Sequence, residues 1–195
     1  MDKIVTGNHI PRGSIDIDFT VEKNINIYSE ITNKKKSDIT VCILNRPRHK
    51  EIIAELQRLN VNIKLISDGD VAGALLVSDK KFKVDIFMGI GGGPEGVIAA
   101  AALNTLNCNF QGRFLFKTNE DIKRAKQMGI KDLNKKYEIN EIVKGQSIFC
   151  ATGITSGDLM NGVLKEDDKY ITETIITHKN SYLELVKKEV SITWL

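Results

Sequence analysis

Two arginines flank a proline at Arg46-Pro47-Arg48, and His49 follows them. A guanidinium holds phosphate through paired hydrogen bonds, and a proline stiffens the loop that presents it. His49 adds a proton or a hydrogen bond there, although alone it reads as a surface residue of a first helical turn. A second loop, Asp68-Gly69-Asp70, sets two carboxylates around one glycine. Such a pair accepts hydrogen bonds from sugar hydroxyls or binds a hard cation. An aspartate there equally suits the cap of a helix starting near Asp70. It is not an EF-hand loop, because Ala72 stands where a fifth-position ligand belongs.

The third loaded loop is Gly89 to Gly96, GIGGGPEG. Gly91, Gly93 and Gly96 satisfy the G-x-G-x-x-G outline of a dinucleotide fingerprint. Two features oppose that reading. Glu95 puts a negative charge in the first helical turn, where a pyrophosphate would rest, and no acidic residue near position 116 is placed to hold a ribose. Backbone N–H groups at a helix start still favour an anion. A carboxylate beside a phosphate makes sense if a divalent cation bridges them. The three loops together point to a phosphorylated sugar or polyol, with Mn²⁺ or Mg²⁺. Residue types do not choose between these two ions, since both favour oxygen ligands.

These loops need elements to position them. Asp38–Leu44 is a short β-branched run and reads as a strand. Pro47 opens a helix whose Ile52, Ile53, Leu56 and Leu59 recur at helical spacing. A strand over Val61–Ile66 follows, then a short helix to Leu76 or Val77. A strand over Val84–Met88 runs into the glycine loop, and Pro94 opens an alanine-rich helix to about Leu106. Strands alternating with helices argue for βαβ units and a parallel sheet. In such sheets ligands bind beyond the carboxyl ends of the strands, where all three loops lie.

The rest is more mixed. Phe110–Phe116 reads as extended, and Asn119–Met128 as a charged helix capped by Thr118 or Asn119. Ser147–Ala151 reads as a buried strand. Tyr170–Thr177 and Tyr182–Val190 read as two strands joined by a turn near Lys179-Asn180. Asp16 and Asp18 alternate with Ile15 and Ile17, which predicts a half-buried strand without a functional role. The expected fold class is α/β: a layered α/β/α domain with a mostly parallel central sheet and added antiparallel strands. Residues 1–37 are expected to be irregular, with a short strand or two at most. Residues 38–195 are expected to form the α/β ligand-binding domain.

Composition narrows the function classes. The 28 Lys and Arg against 25 Asp and Glu leave a formal charge of +3, too small and too scattered for a nucleic-acid surface. The run Lys34-Lys35-Lys36 reads as a solvated loop. Cys42, Cys108 and Cys150 share no CxxC spacing, which excludes a zinc site or disulfide framework and predicts three small buried hydrophobes. No apolar run reaches the length of a membrane span, and the first residues carry no signal-peptide stretch. A cytoplasmic protein without nucleic-acid or membrane partners is expected.

Several segments closely resemble class II fructose-1,6-bisphosphatase, a bacterial family among the lithium-sensitive, metal-dependent sugar and inositol phosphatases. They are Met1–Gly7, RPRH at 46–49, ISDGDVAGA at 66–74, MGIGGGPEGVIAAAAL at 88–103, QGR at 111–113 and ATGITSGDLMNGV at 151–163. They occur in the family's order and at similar spacing. The resemblance implies hydrolysis of fructose 1,6-bisphosphate to fructose 6-phosphate, with Mn²⁺ or Mg²⁺, in gluconeogenesis and glycerol metabolism. It implies that Arg46, Pro47, Arg48, Asp68, Gly69, Asp70 and Gly92 bind substrate and that Glu95 is a metal ligand. No catalytic residue is assigned.

The resemblance covers only the C-terminal portion of a family member. The family's N-terminal part carries the other metal-binding carboxylates, an Asp-Gly-Thr run and a substrate-contacting tyrosine, and nothing here replaces them. Residues 1–37 are then the remnant of a junction with that domain. The ending around His178-Lys179-Asn180 and Tyr182–Lys188 also departs from the family pattern. Such a chain is expected to be inactive without an N-terminal partner: it is either half of a split enzyme complemented by a separate N-terminal chain or the product of a truncated gene. An interface exposed by that division would favour self-association or capture of the counterpart. The alternative is a sugar-phosphate-binding protein that has lost the chemistry.

Overall fold

The computed structural model describes residues 1–178 and 184–191. Its larger sheet has six strands: β1 (Asp2–Thr6), β2 (Thr40–Leu44), β3 (Asn62–Ile66), β4 (Ile86–Ile90), β5 (Asn109–Arg113) and β6 (Lys136–Glu138). Their order across the sheet is β3-β2-β4-β1-β5-β6. β2 pairs in parallel with both β3 and β4, while β1 runs antiparallel to β4 and β5, and β6 antiparallel to β5. β2, β3, β4 and β5 therefore share one direction, and β1 and β6 oppose it.

β2 is an interior strand, and its sequence suits that place. Val41, Cys42, Ile43 and Leu44 are all buried, so both faces of the strand are covered. One face packs on α1 (Val21–Thr32) and α2 (Lys50–Arg58), through Ile25, Tyr28, Leu56 and Ile86. The other packs on α3 (Asp70–Leu75) and α4 (Gly93–Thr105), through Leu75, Phe87 and Leu103. This gives the α/β/α layering. A second sheet then covers the far side of α4. It is built from β7 (Ile148–Thr152), β8 (Leu164–Glu166), β9 (Lys169–His178) and β10 (Glu184–Ser191), all paired antiparallel. α4 lies between two sheets, which explains its small apolar residues: Ala99, Ala100 and Ala102 are buried and let the sheets approach. The charged α5 (Asn119–Gln127) is capped by Thr118, whose hydroxyl accepts from Asp121 N–H. The short α6 (Ile139–Ile142) follows β6 directly.

The structure corrects several expectations. Residues 1–37 are not irregular. β1 lies inside the larger sheet, and α1 is a full helix capped by Thr20. β1 escapes a periodicity reading because Lys3 interrupts it, yet Lys3 is buried. In α1 the buried Asn24 breaks the apolar stripe; its amide donates to Asp16 O. Asp16 and Asp18 lie in turns rather than a strand, with Lys136 bound to both and Arg113 to Asp18. β7 is not buried: only one of its faces meets α4, and Ile148 on the other is 78% exposed. Cys150 shares that outer face and is exposed, unlike Cys42 and Cys108. β5 ends at Arg113, short of Phe116. β9 and β10 form the expected pair, but the turn placed at Lys179-Asn180 lies outside the described residues, as does Tyr182. No helix among the described residues is long and apolar enough to cross a membrane.

Candidate functional site

The chain leaves β2 to form β3 on one side, then crosses back to form β4 on the other. The strand order reverses at β2, and in parallel sheets the loops at such a point diverge and leave a crevice. The loops after β2, β3 and β4 are Asn45–His49, Ser67–Gly69 and Gly91–Gly92. The three loaded loops of the sequence thus leave adjacent strands at the same end.

His49 fixes the first loop against the third. It is fully buried, against the expectation of a surface position. Ile90 N–H donates to His49 Nε2 at 2.7 Å, so the ring proton resides on Nδ1, which donates to Leu44 O at 2.7 Å. Gly89 makes room for the ring: its φ is +141°, and a Cβ there would stand 3.0 Å from Nε2. Arg48 Nε donates to Ile90 O at 2.7 Å, which ties the same two loops at the surface. Pro47 opens the turn of helix after Arg46. Arg46 Nη2 stands 3.9 Å from Asp68 Oδ1, and the two side chains are 39% and 93% exposed. So open a pair is weak and leaves the guanidinium free to take an anion.

The two aspartates of the second loop part company. Asp68 points to solvent and its Oδ1 accepts from Gly69 N–H at 2.8 Å. Gly69, at φ +88°, is the residue before α3, and no side chain caps that helix. Neither aspartate therefore serves as the cap. Asp70 turns inward, where its Oδ2 accepts from Lys3 Nζ at 2.5 Å. Its Oδ1 is buried and has no hydrogen-bond partner among the described residues.

The third loop closes on the same lysine. Lys3 Nζ also donates to Gly92 O at 3.2 Å, and Gly91 N–H donates to Met1 O at 2.9 Å. A Cβ on Gly91 would overlap the Asp70 carboxylate, and one on Gly92 would overlap the Glu95 carboxylate. Gly91 is needed because the Asp70 carboxylate, held by Lys3, occupies that space, whereas the exposed Glu95 side chain over Gly92 could swing aside. Glu95 lies folded back over Gly92, at the start of α4 where a dinucleotide's pyrophosphate would sit. Asp70, Gly91 and Gly92 thus gather around Lys3, and Glu95 lies over Gly92 beside them. Arg48 lies beside it at Ile90, and the Arg46–Asp68 pair extends the rim.

These residues do not complete a metal centre. Among the described residues, no group of three or more His, Cys, Asp or Glu side chains is placed to hold an ion. The Lys3 ammonium also occupies the position beside Asp70 that a cation would need. Glu95 contributes one carboxylate to this cluster.

Two other segments shape the surroundings. Gln111 is structural: it accepts from Ile17 N–H and donates to Glu138. The segment 153–163 faces the Asp68–Gly73 stretch across a groove of about 560 Å³. Glu173, 5% exposed, holds that segment by accepting from both the backbone and side-chain amides of Asn161. Lys64 on β3 pairs with Asp158 at 2.8 Å. Sequence reasoning missed Lys3 and the burial of His49. The available signal for Lys3 was a charged residue immediately before the apolar pair Ile4-Val5.

The similarities to known proteins agree with this geometry. Residues 1–189 match the family described as bacterial fructose-1,6-bisphosphatase, glpX-encoded. The fructose-1,6-bisphosphatase class 2 of Haemophilus influenzae is 35% identical, with all of this chain and 62% of the relative covered. The D-fructose 1,6-bisphosphatase class 2/sedoheptulose 1,7-bisphosphatase of Synechococcus sp. strain JA-3-3Ab is 36% identical, over 87% of this chain and 53% of the relative. The same-named protein of Synechococcus elongatus is 38% identical, over 78% and 48%. The chain spans between about half and three-fifths of the length of these relatives. With the family match running through nearly all of it, the chain belongs to the bacterial, glpX-encoded fructose-1,6-bisphosphatase family.

Proposed function

We propose that this chain is the sugar-phosphate-binding portion of a class II fructose-1,6-bisphosphatase, which hydrolyses the 1-phosphate of fructose 1,6-bisphosphate to give fructose 6-phosphate. The observation that carries the reading is the convergence of Arg46, Arg48, Asp70, Gly92 and Glu95 at the reversal of strand order. Arg46 and Arg48 supply the donors that a phosphate requires. Asp70 supplies a hydroxyl acceptor, and Asp68 and Gly69 line the adjoining rim. Glu95 supplies one carboxylate toward a divalent ion, Mn²⁺ or Mg²⁺, whose role is to neutralise phosphoryl oxygens. Sedoheptulose 1,7-bisphosphate, longer by one hydroxylated carbon, is a second substrate of the same chemistry. The names of the cyanobacterial relatives support it. The setting is gluconeogenesis in the cytoplasm.

The chain alone binds sugar phosphate and does not hydrolyse it. The support is the donor set: among the described residues Glu95 belongs to no group of three or more His, Cys, Asp or Glu side chains placed to hold an ion, and phosphate-ester hydrolysis needs several carboxylates around the ions. The missing ones come from an N-terminal portion that residues 1–37 would adjoin, or from a homo-oligomeric contact. The same observation favours a second reading, a sugar-phosphate-binding protein without catalysis.

Phosphate release from fructose 1,6-bisphosphate with Mn²⁺ tests the proposal. The chain is assayed alone, as Glu95→Ala, and mixed with the N-terminal portion of the Haemophilus relative. No release alone and release on mixing, lost in Glu95→Ala, is the expected result. Release by the chain alone that Glu95→Ala abolishes would overturn the incomplete-site account. Binding of the bisphosphate without release in any mixture would favour the second reading.

A further inference from the structure

Lys3 lies on β1, inside the larger sheet, and its side chain has no exposed surface. A buried ammonium is retained only where it is paired and hydrogen-bonded. Its partners are Asp70 Oδ2 at 2.5 Å and Gly92 O at 3.2 Å. One group therefore joins the loop after β3 to the loop after β4. Both partners belong to the proposed sugar-phosphate site.

The pairing also divides the Asp70 carboxylate. Oδ2 is taken, while Oδ1 is buried with no partner among the described residues, in a side chain 10% exposed. A buried acceptor left unmatched is costly. The ammonium beside it repels a divalent cation, so the group that completes Asp70 is a neutral donor. A sugar hydroxyl has that chemistry.

We propose that Lys3 is a positioning residue of the sugar-phosphate site. It holds Asp70 by one oxygen, so that the other is kept for a ligand hydroxyl. Asp70 is thereby assigned to the sugar and not to the metal. The proposal rests on the reading that this crevice takes a sugar phosphate.

The test is calorimetric titration of fructose 1,6-bisphosphate, and separately of inorganic phosphate, into the full chain. Wild type is compared with Lys3→Met, Asp70→Asn and the Lys3→Met/Asp70→Asn double variant. Lys3→Met should weaken bisphosphate binding about tenfold or more, since it misplaces a charged acceptor. The double variant should bind no more weakly than Asp70→Asn, because Lys3 acts through Asp70. Inorganic phosphate, which has no sugar hydroxyl, should change by no more than about twofold. A general packing role would weaken both ligands alike and would add to the effect of Asp70→Asn.

Bisphosphate binding by Lys3→Met equal to wild type would overturn the proposal. So would a double variant that loses the product of the two single effects. If Lys3→Met fails to fold, the double variant decides, since it removes both members of the buried pair. Binding equal to Asp70→Asn supports the proposal, and a further tenfold loss overturns it. Wild-type protein that binds neither ligand would instead overturn the sugar-phosphate reading, and this assignment with it.

Discussion

The backbone N–H of Ile90 donates to Nε2 of His49 at 2.7 Å, across 41 residues of sequence. The arginine loop and the glycine loop are therefore one rigid unit rather than two adjacent loops. His49→Ala should strand Ile90 N–H and Leu44 O and leave a cavity. The expected loss is about 2–4 kcal/mol of stability, read from denaturant unfolding. A loss under about 0.5 kcal/mol, the range of ordinary surface substitutions, would show that the ring does not brace the strands.

Arg46 should behave in the opposite way. Its pairing with Asp68 spans 3.9 Å between exposed groups. Arg46→Ala should leave the unfolding midpoint within the equivalent of about 0.5 kcal/mol. The same substitution should weaken fructose 1,6-bisphosphate binding by about tenfold or more, because a charge-assisted contact to phosphate is lost. Loss of stability with intact binding would make Arg46 structural.

Gly91→Ala places a methyl where the Asp70 carboxylate lies. The clash should cost about 1–3 kcal/mol and displace Asp70 from Lys3. Calorimetry should show sugar-phosphate binding falling with stability. Gly145→Ala, where a Cβ meets nothing, is the control and should be silent.

The acid limb of stability should depend on Glu173. The Asn161 backbone N–H, then its side-chain amide, holds this carboxyl below its ordinary value of 4.5. A carboxyl whose pKa is depressed by folding stabilises the protein above its unfolded pKa. That contribution is lost as pH falls through the folded value. Glu173→Gln should therefore flatten the decline in unfolding midpoint below about pH 4.5. An unchanged acid limb would show that the 153–163 segment does not depend on this charge.

Thiol labelling should separate the cysteines. Burial pushes the thiols of Cys42 and Cys108 up to about 12, whereas Cys150 lies exposed on the outer face of β7. The native chain should react rapidly at Cys150 only, and at the other two after unfolding. Mass spectrometry of the labelled peptides reads the result. Rapid native labelling of Cys42 would contradict the packing of β2.

The three site loops were legible because proline, glycine and arginine clusters mark the ends of apolar strands. Arg46-Pro47-Arg48 and the glycine run stand out without any tertiary information. α4 was equally plain from Pro94 and its alanines. What escaped depends on distant partners. Lys3 reads as a polar break until Asp70 and Gly92 are seen around it. His49 reads as exposed until Gly89 and Ile90 enclose it. Asn24 breaks the pattern of α1 because its partner lies in the preceding turn. The bare side of β7 was hidden for a related reason. An apolar run says that a strand has a buried face, and not that it has two.

Titration of fructose 1,6-bisphosphate into the full 195-residue chain tests the central claim most directly. Calorimetry should show saturable binding to one site per chain, tighter than that of inorganic phosphate and weakened about tenfold or more by Arg48→Ala. Absence of binding, or binding that Arg48→Ala leaves unchanged, would contradict the assignment of this crevice to a sugar phosphate.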